Sequence, residues 1–415
     1  MKFFKHPVFT GFLPNLLGKE VLMALSFVFP WNWKKLQRGN DINALETQLK
    51  TFFGVSSVIT FDSGRSSLQM ALQALDIQKG DEVLLQAYTC CVVSNAVIWA
   101  GGMPVYVDIR QDFTMDPQDL EKKITPRSKV LIIQHTFGTP ADLEALMTIA
   151  KKYNLKIVED CAHVIGGSYK NKMLGTFGDI GMLSFGTDKS ISCGRGGALI
   201  TNDLVLAQTL KVQQEKLPHI SKSTIVQQLF TMILFFISKP LYNIGIGKIL
   251  LALMKQLHMS SRIIEQKEKR GESSTNYPAK IPNALALIAL HQLEHLKTFN
   301  QKRIELSQKY LQNINNPLVK MPQLTHNIPF LRFPIRVKNP SKLHILAQKE
   351  GILLGDWYNT VIAPKDSDEN KMGYVPGTCP TAERLSTESI NLPTHIHITK
   401  KDQQKIIHLV NNYCE

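Results

Sequence analysis

Two stretches decide the fold: KIVEDCAH, residues 156–163, and GMLSFGTDKSISCGRGGALIT, residues 181–201. Each begins with a short apolar run that ends in a polar group, Asp160 in the first and Ser184 in the second. Lys189 lies just beyond the second run, 29 positions after Asp160. A carboxylate at one strand end and a lysine past the next suit pyridoxal phosphate. That cofactor takes a lysine amine for its Schiff base and an acid to keep its pyridine nitrogen protonated. Taken singly, each residue has a plainer explanation. Asp160 suits a helix N-cap after the strand, and a loop lysine is ordinarily a solvated surface group.

Outward from these runs the pattern repeats. NALETQLKTFFG and SSLQMALQAL have helical spacing on either side of the β-rich SVITF. EVLLQA, PVYVDI, KVLIIQH (129–135) and KIVED (156–160) alternate with helix-like CCVVSNAVIWAG and ADLEALMTIAKKY (141–153). Strands that are nearly all apolar and are separated by helices predict an α/β fold with a mostly parallel sheet covered on both faces. Ligands of such sheets bind beyond the carboxyl ends of the strands, where Tyr88, His135, Asp160 and Ser184 fall.

The chain has 415 residues, enough for a large and a smaller domain, and 44% hydrophobic content suits a sizeable core. Its 48 basic and 34 acidic residues leave a net charge of +14. The basic residues are scattered, and acidic neighbours dilute the densest group, Lys267, Lys269 and Arg270. No nucleic-acid partner is expected on that basis; an anionic substrate or surface accounts for the excess equally well. None of the six cysteines has metal-ligand spacing, so no metal is expected, and reduced thiols predict a cytoplasmic setting. Pro7, Pro14 and Lys19–Glu20 interrupt any secretory signal, and Val21–Trp31 reads as an amphipathic helix.

The expected organisation is an N-terminal arm over 1–42, a large cofactor-binding domain over 43–295 and a smaller α+β domain over 296–415. An unusual apolar insert spans about 223–258. STIVQQLFTMILFFIS carries no charge, and Pro240 with the glycines at 245 and 247 divides the insert into two helices, each too short to cross a bilayer. Two readings remain open for it. It is either a hairpin buried against the body or a dimer partner, or a monotopic anchor on the inner face of an anionic membrane.

Phosphate handling is expected at FDSGRSSLQMALQAL, where Gly64, Arg65, Ser66 and Ser67 occupy a strand-to-helix junction and a helix N-terminus can receive an anion. A good N-cap alone gives the same pattern. Ser184 adds a hydroxyl, and His163, three residues after Asp160, suits either a cofactor neighbour or a structural histidine.

Assembled, these segments resemble the DegT/StrS family of pyridoxal-phosphate-dependent sugar aminotransferases, which have the aspartate aminotransferase-like (type I) fold. The likeness runs from about Ala44 to Asp203 and resumes near Asn283. Ser63–Leu68 matches the family's N-G-T-A-A-L-like phosphate segment, and Ser184–Lys189 matches S-F-x-x-x-K. GDEVLLQAYTCCVVSNAVIWAGGMPVYVDI, HQLEHL and AERL…INLP match further family segments. The resemblance implies that Lys189 carries the cofactor and that Asp160 pairs with its ring nitrogen. It also implies His163 near the ring hydroxyl, and Ser184, Arg65 and Ser66 around the phosphate. A homodimer with active sites at the interface follows, moving an amino group, commonly from glutamate, to a keto-sugar nucleotide for surface polysaccharide or glycan assembly.

Three departures stand out. Cys90 occupies the place of an aromatic that stacks on the cofactor, with Tyr88 as a substitute two residues earlier. Arg195 replaces the acid of G-[DE]-G-G. Pro278–Ile281 replaces an N-Y-R-M-like segment, and Arg65 is the expected substitute phosphate contact. These departures leave a second possibility, a regulatory or scaffolding protein on the same fold that has lost transamination. Lys189 argues against the family's dehydratase branch, which has histidine there.

Overall fold

The computed structural model describes residues 7–242, 244–256, 264–273, 277–323 and 327–414. Seven strands form the central sheet: β1 (Ser57–Phe61), β2 (Glu82–Gln86), β3 (Met103–Val107), β4 (Ser128–Gln134), β5 (Lys156–Asp160), β6 (Ile180–Ser184) and β7 (Gly197–Thr201). Their spatial order is β1-β7-β6-β5-β4-β2-β3. Six run parallel, and β7 runs antiparallel between β1 and β6. The expected α/β, mostly parallel architecture is therefore present.

Alternation along the strands divides the interior in two. Val158, Ile180, Met182 and Leu199 enter one core, shared with the C-terminal part. Ile157, Leu183, Ala198 and Ile200 enter the other, shared with the N-terminal segment and the apolar insert. Successive side chains of a strand point to opposite faces, so Glu159 joins the second side and Asp160 the first. Nearly every strand position is buried, which explains the unbroken apolar runs.

The helices that matter for the site are α1 (Gly18–Val28), α2 (Asp41–Phe53), α3 (Gly64–Ala74), α4 (Lys222–Ser238), α5 (Ile246–Gln256) and α6 (Asn283–Asn313). α3 begins where predicted: Ser63 is extended, and its side chain accepts the Ser66 N–H. The predicted domain boundary at 295/296 falls inside α6, one continuous helix. Its first half packs into the second core through Leu285, Ile288 and Leu296, and its second half into the first through Leu306 and Tyr310. Beyond it, Phe333–Arg336 pairs antiparallel with Ser389–Leu392 in the C-terminal unit.

The insert forms two helices, α4 and α5, in its described residues; positions 243, 257 and 258 lie outside them. α4 turns Ile225, Leu229, Met232, Ile233 and Phe235 inward and packs against α1. Among the described residues, no helix is long and apolar enough to cross a membrane.

Candidate active site

A cavity of about 990 Å³ opens at the carboxyl ends of the central strands. Asp160 and Ser184 reach it from β5 and β6, Lys189 from the loop after β6, and Ser63, Gly64 and Arg65 from the β1–α3 junction. Cys90 and His163 line it too. Of the residues expected at the site, Ser66, Tyr88 and His135 do not line it. Ser66 stands one layer behind, with its hydroxyl 2.9 Å from that of Ser63.

Tyr88 is fully buried among Phe113, Phe137 and Tyr358, so the cofactor-stacking role expected of it is not available in this arrangement. Its hydroxyl accepts the Tyr358 N–H at 2.9 Å and donates to Ser389 Oγ at 2.7 Å, which ties two C-terminal segments to the sheet. The aromatic ring that does face the cavity beside Lys189 is Trp357. Lys189 Nζ lies 4.9 Å from its centroid, and the His163 ring stacks on it at 5.2 Å.

The charged groups are set by burial. Burial pushes the Lys189 ammonium below its ordinary pKa, partly opposed by Asp160, Cys90 and Asp188. Burial raises the Asp160 carboxyl above the usual range. The Ala162 N–H, 2.9 Å from Oδ1, and the Lys189 charge offset only part of that cost. His163 is driven well below its normal value, again chiefly by burial. Its Nδ1 accepts the Phe137 N–H at 3.1 Å, which leaves Nε2 as donor to Tyr358 Oη at 3.2 Å. A hydrogen bond from Cys91, then the Val92 N–H and the charges of Lys189 and Arg65, hold the Cys90 thiol low.

The lysine loop is clamped from outside the sheet. Asp188 accepts from the Phe12 N–H and from Arg332 Nη2, while the Leu13 N–H donates to Thr187 O at 2.8 Å. Asn15 Nδ2 donates to Ser190 O at 2.7 Å. Arg332 stacks on Trp357 with Cζ 3.5 Å from the ring centroid. The N-terminal arm thus holds the backbone that carries Lys189. Arg332, Trp357 and Tyr358 carry no motif that sequence spacing reveals, since the residues they meet on the sheet side, Asp188, Lys189 and His163, lie well over a hundred residues away.

The opposite end of the cavity suits an anion. A Cβ added at Gly64 would come within 2.9 Å of Ser184 Oγ, and one at Gly197 within 2.6 Å of Ser67 Oγ, so the junction is packed at backbone level. Arg65, the expected phosphate contact, instead makes an ion pair with the fully buried Glu268. Arg195 is placed differently. Its Nε donates to Asp62 Oδ2 at 3.1 Å, its Cζ lies 4.3 Å from the Tyr277 ring centroid, and its buried Nη2 has no hydrogen-bond partner among the described residues. Asp62 Oδ1 accepts the Ala279 N–H, which ties residues 277–281 to the same place. A buried guanidinium N–H without an acceptor, beside a helix N-terminus, fits a bound anion. A buried carboxylate with one donor at the other end fits a protonated nitrogen. The residues present therefore fit pyridoxal phosphate.

Comparison with known proteins agrees with this architecture. The sequence profile of the DegT/DnrJ/EryC1/StrS aminotransferase family matches residues 18–233 and 245–411. A dTDP-3-amino-3,6-dideoxy-alpha-D-galactopyranose transaminase from Aneurinibacillus thermoaerophilus is 28% identical over 95% of each chain. The GDP-perosamine synthase of Escherichia coli O157:H7 is 30% identical over 73% of this chain and 70% of its own. The crystal structure of a DegT DnrJ EryC1 StrS aminotransferase from Brucella abortus superposes with a TM-score of 0.71 at 25% identity, covering 94% of each chain. The chain belongs to the DegT/DnrJ/EryC1/StrS aminotransferase family.

Proposed function

We propose that this chain binds pyridoxal phosphate and transfers an amino group from an amino acid, commonly glutamate in relatives, to the carbonyl of a keto-sugar nucleotide. The product would serve surface polysaccharide or glycan assembly, and the working form is a homodimer with active sites at its interface. One observation carries this proposal: Lys189 and a poorly solvated Asp160 share one cavity with the N-terminus of α3. Bound there, the cofactor supplies a carbon that takes up the amino group and a cationic ring that accepts electrons from a broken Cα–H bond.

Asp160 holds the proton at the ring nitrogen, and the cation relieves the desolvation cost that the carboxylate otherwise bears. Lys189 Nζ holds the cofactor at rest. Its lowered pKa favours the free amine, the form that can move a proton between the substrate Cα and the cofactor carbon. Ser63, Gly64 and Arg195 orient the phosphate, and His163, fixed by Phe137 and Tyr358, faces the ring. The acceptor class is supported by relatives named for dTDP-linked and GDP-linked amino sugars. A cavity of about 990 Å³ is at the upper end for a small-molecule site, which leaves space for a sugar nucleotide beside the cofactor.

Borohydride reduction followed by peptide mapping tests the attachment, with Lys189→Ala as control; label on any other lysine refutes it. A panel of keto-sugar nucleotides with glutamate tests the reaction. Cofactor on Lys189 with no bleaching by any amino donor would instead favour a protein that has kept the cofactor and lost transamination.

A further inference from the structure

The surface that remains apolar after folding extends beyond the segment that the sequence singles out. α4 is uncharged from Ser223 to Ser238; it buries Ile225, Leu229, Met232, Ile233 and Phe235 against α1 and the body and leaves Phe236 and Ile237 exposed. The flanking elements expose further apolar groups. α1 buries Val21, Ala24 and Phe27 and presents Leu22 and Leu25 to solvent; Phe29, Trp31 and Trp33 follow, with Trp31 72% exposed. α5 presents Ile246, Ile249 and Leu253, at helical spacing of i, i+3 and i+7, with Ile249 60% exposed. α1 and α5 both pack on α4.

Charge in these segments has one sign. Between Glu215 and Glu265 the chain has no acidic residue, and the first forty residues contain only Glu20. Glu20 is buried and hydrogen-bonded to His291 and the Leu17 N–H, so it shows no charge to solvent. Lys19, Lys34, Lys35 and Lys248 remain exposed around the apolar side chains. Contact of this face with its own copy would set lysine against lysine, with no carboxylate in either segment to answer them.

We infer that this face, built from residues 22–33 and the outer stripe of α5, docks on an anionic lipid bilayer and lies in its interface without crossing it. Leucine, isoleucine and phenylalanine enter the acyl boundary, tryptophans sit at headgroup depth and lysines meet lipid phosphates. The inference is independent of the catalytic proposal.

Flotation of the full chain with vesicles tests it. Binding is expected to phosphatidylcholine vesicles containing phosphatidylglycerol and not to phosphatidylcholine alone. It should weaken as salt rises and shift tryptophan emission to the blue. Leu22→Glu combined with Ile249→Glu should weaken binding at least about tenfold while leaving oligomeric mass and melting temperature unchanged. Lys34→Glu with Lys35→Glu should give a smaller, salt-sensitive loss. No flotation with anionic vesicles overturns the inference, as does a Leu22→Glu/Ile249→Glu variant that floats like the parent. Dissociation of an oligomer by that variant in lipid-free buffer would assign the face to a second copy instead.

Discussion

Glu159 and Asp160 are neighbours in the chain, point to opposite faces of one strand, and are treated oppositely by the fold. Glu159 is fully buried and saturated. His135 Nε2 donates to it at 3.2 Å, the Gly175 and Gly178 N–H groups at 2.9 Å, and the Phe177 N–H as well. Burial raises its pKa, but the His135 hydrogen bond and the backbone donors outweigh that and leave it below the usual carboxylate range. Asp160 is as deeply placed, yet among the described residues it receives a single N–H, and it stays above that range. One face of the sheet completes its carboxylate from within the protein. The other leaves its carboxylate short of partners, and a buried polar group left short is where a ligand belongs.

Three substitutions test that contrast. The largest effect is expected at the lysine that shares the cavity with Asp160. Lys189→Ala should lower amino transfer by roughly 10⁴-fold or more, because both the attachment point and the proton carrier are lost. The absorbance of the bound cofactor should move accordingly, while the melting temperature of cofactor-free protein hardly changes. Asp160→Asn should lower turnover by roughly 10²- to 10⁴-fold, since the amide cannot hold the ring cation. In cofactor-free protein the same change should leave stability equal or higher. A marked loss of stability there would make Asp160 structural and collapse the contrast.

Glu159→Gln should show the reverse. Its new NH₂ group would face N–H donors, so we expect a loss of about 3 kcal/mol in unfolding free energy with turnover little changed at temperatures where the variant is folded. The pH dependence has opposite signs for the two residues. The folded-state pKa of Glu159 is depressed. Its stabilisation is therefore present above the unfolded value of about 4.3 and lost as pH falls through the folded one, and the gap between wild type and Glu159→Gln should close in acid. The folded-state pKa of Asp160 is raised. Its contribution is present below the unfolded value of about 3.9 and lost as pH rises through the folded one. The advantage of Asp160→Asn in cofactor-free protein should therefore open as pH rises. Denaturant titrations across acid to neutral pH measure both trends.

The legible parts of the site are those written in short range. Asp160, Ser184 and Lys189 each follow an apolar strand, and Ser63–Gly64 sits at a strand-to-helix junction, so periodicity alone brings them to one edge of a parallel sheet. What joins Trp357 to His163 or Arg332 to Asp188 is a fold-back of roughly 150 to 200 residues, and neither partner has a local pattern that announces the other. Tyr88 departs from its expected place for a related reason. Proximity in sequence to Cys90 suggests a shared role, but the turn before residues 91–100 sends the ring into the core and leaves Cys90 at the cavity wall. For the apolar insert, composition leaves burial and membrane contact equally open, and only tertiary packing shows that α4 buries one side against the body while Phe236 and Ile237 stay exposed.

Arg65 and Arg195 repeat the contrast of the two carboxylates at smaller scale. Sequence position favoured Arg65 for phosphate, since it opens α3. Its guanidinium nevertheless pairs with buried Glu268, whereas Arg195 keeps a buried Nη2 without an acceptor among the described residues. Arg195→Lys preserves the positive charge and an ion pair with Asp62, but a single ammonium cannot reproduce the planar fork that would reach Asp62 and a ligand together. The dissociation constant of pyridoxal phosphate should rise about tenfold, the worth of one charge-assisted hydrogen bond, with thermal stability nearly unchanged. Inorganic phosphate should compete with the cofactor less well in the variant than in the parent. If Arg195→Lys binds the cofactor as tightly as the parent, the unpaired N–H does not mark the phosphate, and Arg65 or a partner subunit must supply its cationic contact.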